Sequence, residues 1–287
     1  MRLITFKRGK EAHIGVARDG EVVDLSIAAP KLPRDMVGLL ASGKAGLAAA
    51  AKAVKAAKAK AVVKGKISYL PPIPNPPKII CVGLNYRDHA AEATMKVPDH
   101  PVFFLRVPTT LVGHGQPLVC PKVSNNFDYE AELVAVIGRK GRNIPKERAL
   151  GYVAGYSVFN EGSIRDFQMR TSQWTLGKNF DGSGGFGPAV VTSDELPAGA
   201  KGLKIQCRLN GQTLQSASTS DMIFDVATLV SASSEAMTLE PGDIIVTGTP
   251  SGVGFVRKPP IFMKPGDTCE IEVENVGLLV NPIKAEK

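Results

Sequence analysis

The sequence predicts a mainly β protein with a few helices (α+β), its strands folded into an antiparallel, roll- or barrel-like structure behind a small α+β domain. Three observations predict this class. Strand-like segments, β-branched or alternating, recur from residue 79 to the end of the chain. Turn signals connect them: Asn210-Gly211 is a type I′ hairpin sequence, and Pro241-Gly242-Asp243 and Pro265-Gly266-Asp267 feed strands. Regular strand–helix alternation is missing, which argues against a doubly wound parallel sheet.

Taken in order, residues 2–6, 13–17 and 22–25 alternate in short strand-like bursts separated by the turns Arg8-Gly9-Lys10 and Asp19-Gly20. A small sheet is expected there, followed by helices over 33–40 and 44–63. Pro71, Pro72, Pro74, Pro76 and Pro77 then forbid helix and interior strand, so residues 71–78 read as a stiff linker. The expected division is a small N-terminal domain at 1–70, the linker, and a larger domain at 79–287. In the larger domain strands are expected at 79–83, 133–138, 152–159, 188–192, 203–209, 243–247 and 268–273. Helices are expected just after Asn85, at 164–169 and at 223–234.

The 287 residues, 44% hydrophobic and 22% charged, suffice for a sizeable core and exclude a disordered or fibrous chain. No apolar run approaches the ~18 residues of a membrane span. Neither a span nor a signal peptide is expected, and the expected location is cytoplasmic. Cys81, Cys120, Cys207 and Cys269 are widely spaced without a Cys-x-x-Cys pair, which fits cytosolic usage better than a disulfide framework or a zinc clip.

The net charge of +8 draws on Lys44, Lys52, Lys55, Lys58, Lys60 and Lys64 in one Ala-rich segment. Leu47, Val54 and the alanines give it a narrow apolar stripe, so it reads as an exposed helix whose basic face is solvated or draws in an anionic substrate. A non-catalytic basic binding module, holding nucleic acid or an acidic protein on these lysines, is the reading from another class. No aromatic residues interleave the lysines, and that reading leaves the acid and histidine clusters unexplained. Neither nucleic acid nor membrane is an expected partner.

Candidate chemistry centres on Asp128-Tyr129-Glu130-Ala131-Glu132, at the head of the apolar run 133–137. In an extended strand Asp128, Glu130 and Glu132 share one face with Val134 and Val136. Two carboxylates ~6 Å apart repel by roughly 3 kcal/mol at an effective dielectric near 20, and need a cation, a shared proton or solvent. The stretch is therefore a cation site or a strand end reaching into water. His89 and Glu92 fall at i and i+3 if a helix starts near Asn85, as a general-base dyad or as surface residues meeting water. Glu161 ends a core strand, either completing a hard-cation site with Glu130 and Glu132 or opening an ordinary helix, on whose face Arg165 and Gln168 follow. Lys178, in a glycine-flanked loop, can serve as a fixed cation for an oxyanion. The segment Thr247-Gly248-Thr249-Pro250-Ser251-Gly252-Val253-Gly254 lacks the Gly-Lys-Ser/Thr of a P-loop; its backbone N–H groups and Thr249 suit a substrate carboxylate. Trp174 is a lone aromatic without a pattern.

In order along the chain, Val82-Gly83-Leu84-Asn85-Tyr86 with Asp88-His89 and Glu92, Asp128 to Leu133, Ser163-Ile164-Arg165-Asp166-Phe167-Gln168, Gly177-Lys178, Gly187-Pro188, Asn210-Gly211, Met222-Ile223-Phe224 and Thr247 to Gly254 resemble the fumarylacetoacetate hydrolase family. The resemblance spans roughly residues 78–283. It implies a mixed β-sandwich roll of that family's C-terminal-domain type at 79–287, commonly a homodimer, with residues 1–70 as the N-terminal extension of many members. It implies Mg²⁺ or Mn²⁺ held by Glu130, Glu132 and a third acid. The family usually has Asp in that third place, within an Asn-Asp pair; this chain has Asn160-Glu161, one methylene longer.

By motif position, His89 and Glu92 match the family's base dyad, Lys178 and Gln168 its substrate-polarising groups, and Thr249 with Gly248 its substrate-carboxylate contact, with Arg165 beside or behind the substrate. The implied activity is hydrolysis of a C–C bond of an acylpyruvate or related dioxo acid through a metal-bound enolate, in aromatic catabolism. His89, held by Glu92, activates water, and Lys178 and Gln168 stabilise the oxyanion. The same site allows decarboxylation or isomerisation of oxaloacetate or a 2-hydroxy-dienoic diacid. The side chains that select among small-molecule oxo acids are expected in a lid-like segment, Ala93 to Leu111.

Overall fold

The computed structural model describes residues 1–18, 20–92 and 96–287. Asp19 of the expected Asp19-Gly20 turn and residues 93–95 of the expected lid segment lie outside the described residues.

Every residue of the strand Ala131–Ile137 is buried, because both of its faces are covered. Side chains alternate between faces along a strand. Leu133, Ala135 and Ile137 accordingly join one core with Ile205, Cys207, Ile271 and Leu279, and Val134 and Val136 join another with Leu39, Leu40, Ala50 and Val54. That double burial is why the segment reads as an unbroken apolar run.

Ala131–Ile137 lies inside the larger of two main sheets. Its strand order is Glu21–Asp24, Glu11–Arg18, Arg2–Arg8, Gly184–Thr192, Val153–Glu161, Ala131–Ile137, Ile244–Val246, Ile79–Gly83 and Val102–Arg106. The second sheet runs Gln212–Ser218, Lys204–Leu209, Thr268–Val273, Gly277–Ala285 and Leu118–Cys120, and packs on the first through the Leu133 core. Most pairs are antiparallel; Ile244–Val246 with Ile79–Gly83, Gly277–Ala285 with Leu118–Cys120 and Gly184–Thr192 with Leu111–Val112 are parallel. The chain is thus mainly β with a few helices, as its sequence predicts. Asn210 and Gly211 both adopt positive φ, 52° and 80°, as a type I′ hairpin requires.

The N-terminal strands do not form a sheet of their own. Arg2 and Leu3 pair with Val191 and Val190, so the small sheet extends the large one. The edge of Gly184–Thr192 would otherwise present unpaired backbone groups, and the N-terminal strand satisfies them. The proline segment carries no helix or strand, and it is packed: Ile73 is buried, and Thr5 Oγ1 donates to the Pro72 carbonyl at 2.6 Å. The lysine-rich helix runs Gly43–Lys55 and stops short of the expected Val63; a 3-10 turn, Ala59–Ala61, follows, and Val62 bridges Val23. Gly46, Ala50 and Val54 form its buried stripe, and all six lysines of the segment are exposed. The strand Val102–Arg106 lies within the segment expected to be a lid.

Asn85, buried just beyond Ile79–Gly83, joins three chain segments. Its Nδ2 donates to the carbonyls of Phe224 (3.0 Å) and Thr247 (2.7 Å), and its Oδ1 accepts from the Phe224 N–H (2.8 Å). Asn85→Ala leaves the buried Thr247 carbonyl and the partly buried Phe224 N–H and carbonyl without these partners. Given about 1–3 kcal/mol for each buried group left unsatisfied, a loss of about 2–4 kcal/mol is expected as a lower urea midpoint. An unchanged midpoint would show that the three segments hold together without Asn85.

Candidate active site

The antiparallel register places the acids. Ala131 pairs with Asn160 and Glu132 with Phe159, and the Glu161 N–H donates to the Glu130 carbonyl at 3.0 Å. Glu130 and Glu132, at the head of one strand, therefore meet Glu161 at the end of its neighbour. One carboxylate oxygen from each lies within 4.8 Å of the others, and all three residues are buried. Asp128 does not continue this row. The strand is interrupted at residues 129–130, and Asp128 pairs with Ser163 in a short two-stranded ladder.

The three carboxyls differ in environment. Burial pushes Glu130 up, but Lys178 Nζ on Oε2 and Arg165 Nη2 on Oε1, each at 2.7 Å, outweigh it and hold the group at about 2. Burial pushes Glu132 well above the carboxylate range, the charges of Glu161 and Glu130 add to this, and Lys178 and the Gly248 N–H oppose it. Glu161 Oε1 accepts from Arg106 Nη1 at 2.7 Å, whereas its buried Oε2 has no hydrogen-bond partner among the described residues. Three clustered all-oxygen donors, one with an unpartnered buried oxygen, fit a hard divalent cation such as Mg²⁺ or Mn²⁺ and do not suit zinc.

Arg165 organises the cluster from behind. It donates to Asp128 Oδ2 (2.8 Å), Glu130 Oε1 (2.7 Å) and Gln168 Oε1 (2.8 Å), and its guanidinium lies 4.4 Å from the Phe255 ring centroid. Gln168 and Lys178 come together because two one-turn helices, Arg165–Gln168 and Thr175–Lys178, touch at Gly177, where any Cβ would strike the Gln168 backbone. Lys178 thus sits at a helix end and not in the open loop that its glycine neighbour suggested.

His89 and Glu92 occupy the helix Arg87–Glu92, with Nδ1 and Oε1 2.8 Å apart. Glu92 Oε2 accepts from the Gly252 N–H at 2.8 Å, which fixes the carboxylate while it orients the ring. The loop 247–254, expected to bind a substrate carboxylate through its backbone, directs those N–H groups at the site's own acids. Gly248 serves Glu132, Gly252 serves Glu92, and Gly254 serves Asp128 at 2.8 Å. Gly248 is therefore turned to Glu132 and is not among the residues lining the cavity. Thr249 does line it; its Oγ1 accepts from Gln215 Nε2 at 2.8 Å, leaving the hydroxyl proton to donate.

One cavity gathers His89, Glu130, Glu132, Arg165, Gln168, Lys178 and Thr249, while Glu92 and Glu161 support it from outside its lining. Its apolar wall comprises chiefly Phe104, which lies in the segment 93–111 expected to supply selecting side chains, with Met169, Trp174 and Phe255, which sequence reasoning did not assign to it. Trp174 covers Gly83, which has no room for a Cβ, and meets Phe104 edge-on at 5.6 Å between centroids. The available signal was Gly83, the last residue of a core strand, where a bare backbone admits a close neighbour. Arg106, buried beside Glu161, carried no motif at all.

Residues 78–284 match the family model described as fumarylacetoacetate (FAA) hydrolase, C-terminal. The chain belongs to this family. It is 41% identical to the oxaloacetate tautomerase Fahd2a, mitochondrial, of Rattus norvegicus, over 99% of the chain and 91% of that relative. The solved fumarylacetoacetate hydrolase of Exiguobacterium antarcticum is 32% identical with a TM-score of 0.84, each chain covered in full. Maleylpyruvate hydrolase from Sphingobium sp. SYK-6, solved with manganese(II) and pyruvate, is 27% identical with a TM-score of 0.83, again over the full length of both. These fumarylacetoacetate hydrolase relatives are enzymes of more than one reaction type. Among the described residues no helix is long and apolar enough to cross a membrane.

The raised Glu132 carboxyl sets a pH dependence for cation binding. A cation bound there competes with the proton that the raised Glu132 carboxyl favours, so binding is expected to release protons and apparent affinity to rise with pH as that carboxyl titrates. Calorimetric titration with MnCl₂ in buffers of different ionisation enthalpy measures that release. Binding without proton release would contradict the assignment.

Proposed function

We propose that this protein is a divalent-cation-dependent tautomerase, with Mg²⁺ or Mn²⁺, that interconverts the keto and enol forms of oxaloacetate or a close 2-oxo diacid. The observation that carries the reading is the single cavity in which His89, oriented by Glu92, shares space with Lys178, Gln168 and the carboxylates Glu130 and Glu132. The 41% identity to an oxaloacetate tautomerase over nearly the whole chain supports this substrate. When bound, the cation supplies Lewis-acid stabilisation of the developing enolate oxygen.

The chain's own groups supply the rest. With Nδ1 donating to Glu92, His89 Nε2 is the nitrogen that takes the proton from C3 of the keto acid and delivers it to the C2 oxygen to complete the enol, the same transfer running backwards in the reverse direction. Lys178 Nζ and the Gln168 amide steady the oxygen at C2 as negative charge collects there. The Thr249 hydroxyl donates to the substrate carboxylate, and Arg165 holds Glu130 and Gln168 in place. Phe104, Trp174, Met169 and Phe255 exclude water from the apolar side, which strengthens each of these interactions.

Hydrolysis of an acylpyruvate is the second reading, favoured by the likeness to maleylpyruvate hydrolase. It asks more of the same groups, since His89 would then activate a water and a carbon leaving group would depart. A tautomerase needs only the one proton carrier. We also propose the homodimer implied by the family resemblance; a single-chain mass in sedimentation velocity would remove it.

Purified protein with MgCl₂ or MnCl₂ is expected to speed the decay of enol-oxaloacetate absorbance, and His89→Ala to lower kcat by about 10²–10⁴-fold with the fold retained. Product analysis decides between the readings. Acid fragments from an acylpyruvate, with no effect on oxaloacetate, would overturn the tautomerase in favour of the hydrolase.

A further inference from the structure

Glu161 stands where the family pattern carries Asp, and its extra methylene gives the carboxylate more reach and more freedom. Arg106 removes that freedom. Its side chain is fully buried in a socket built for a guanidinium. Nε donates to Thr110 Oγ1 (3.3 Å), Nη1 to Glu161 Oε1 (2.7 Å) and the Gly162 carbonyl (3.2 Å), and Nη2 to Ser183 Oγ (2.6 Å). Ser183 in turn donates to the Phe180 carbonyl at 2.6 Å. A Cβ on Gly184 would come within 2.9 Å of Arg106 Nη2, and one on Gly162 would strike the Ser183 carbonyl, so both glycines keep the socket open. The Phe159 ring lies 5.6 Å from the guanidinium carbon.

We infer that Arg106 is a positioning residue that restricts Glu161 to one oxygen, Oε2, for cation binding, and so keeps a place on the cation for the substrate. Oε1 is held by the Arg106 guanidinium in its socket, while the buried Oε2 has no hydrogen-bond partner among the described residues. A glutamate with both oxygens free takes a hard cation through either one or both. The planar fork is essential to the device, because a lysine ammonium cannot serve Glu161, Gly162, Ser183 and Thr110 from one fixed plane.

The inference rests on the cation-site reading, and the test separates the two. Apoprotein is titrated with MnCl₂ and followed by water-proton relaxation; the Mn²⁺-loaded protein is then titrated with oxalate, a planar mimic of a 2-oxo acid enolate. Arg106→Met is expected to bind Mn²⁺ at least as tightly as wild type, since a nearby positive charge is gone. Its relaxation enhancement should be lower and its oxalate affinity weaker by about tenfold or more. Arg106→Lys should fall between the two, and it serves if Arg106→Met does not fold. Relaxation and oxalate affinity equal to wild type in the folded variants, with only the thermal midpoint lowered, would reduce Arg106 to a structural residue and overturn the inference. Wild-type protein that fails to bind Mn²⁺ would overturn the cation site and the inference together.

Discussion

Glu130 is gripped on both oxygens by buried cations, Lys178 on one and Arg165 on the other, and the site is arranged around that grip. Removing one partner of such a buried pair typically costs about 3–5 kcal/mol, because the other is left as an uncompensated charge. The whole neighbourhood follows the same logic. Asp128, Glu130, Glu132 and Glu161 are buried with Arg106, Arg165 and Lys178, so acids outnumber bases before any cation arrives. The imbalance falls on Glu132, whose carboxyl is driven up by burial and by its two acidic neighbours. Such a cluster of buried acids could hold a hard divalent cation.

Backbone groups do much of the holding. The loop after Ile244–Val246 directs its N–H groups to Glu132, Glu92 and Asp128, and so links the acid cluster, the His89–Glu92 pair and the Arg165 support in one short stretch. Gly177 and Gly83 act through what they lack: the first lets two short helices touch so that Lys178 and Gln168 share a cavity, and the second lets Trp174 close its apolar side. These contacts tie the position of each chemical group to rigid neighbours.

Much of the fold was legible in the sequence because its signals are local. The strand Ala131–Ile137 was visible as an apolar run, the hairpin as Asn210-Gly211, and the His89–Glu92 pair as an i,i+3 spacing on a short helix. Readings failed where a distant partner decides the outcome. The small N-terminal sheet joined the large one because an edge elsewhere needed a partner, the lysine-rich segment left its helix after Lys55 and ran on to a bridge between Val62 and Val23, and Asp128 left the acid row to pair with Ser163.

By itself, then, the sequence determined the kind of chemistry available and the elements that carry it: acids heading a buried strand, a histidine spaced for a carboxylate, and a lysine beside a glycine. Only the tertiary structure decided which of them meet. Antiparallel register set Glu161 beside Glu130, and an arginine fifty-five positions before Glu161 in the chain became its closest charged partner. Buried charges interact through space, at distances chain spacing does not encode, so a residue such as Arg106 can leave no mark on the local pattern and still hold a central carboxylate in place.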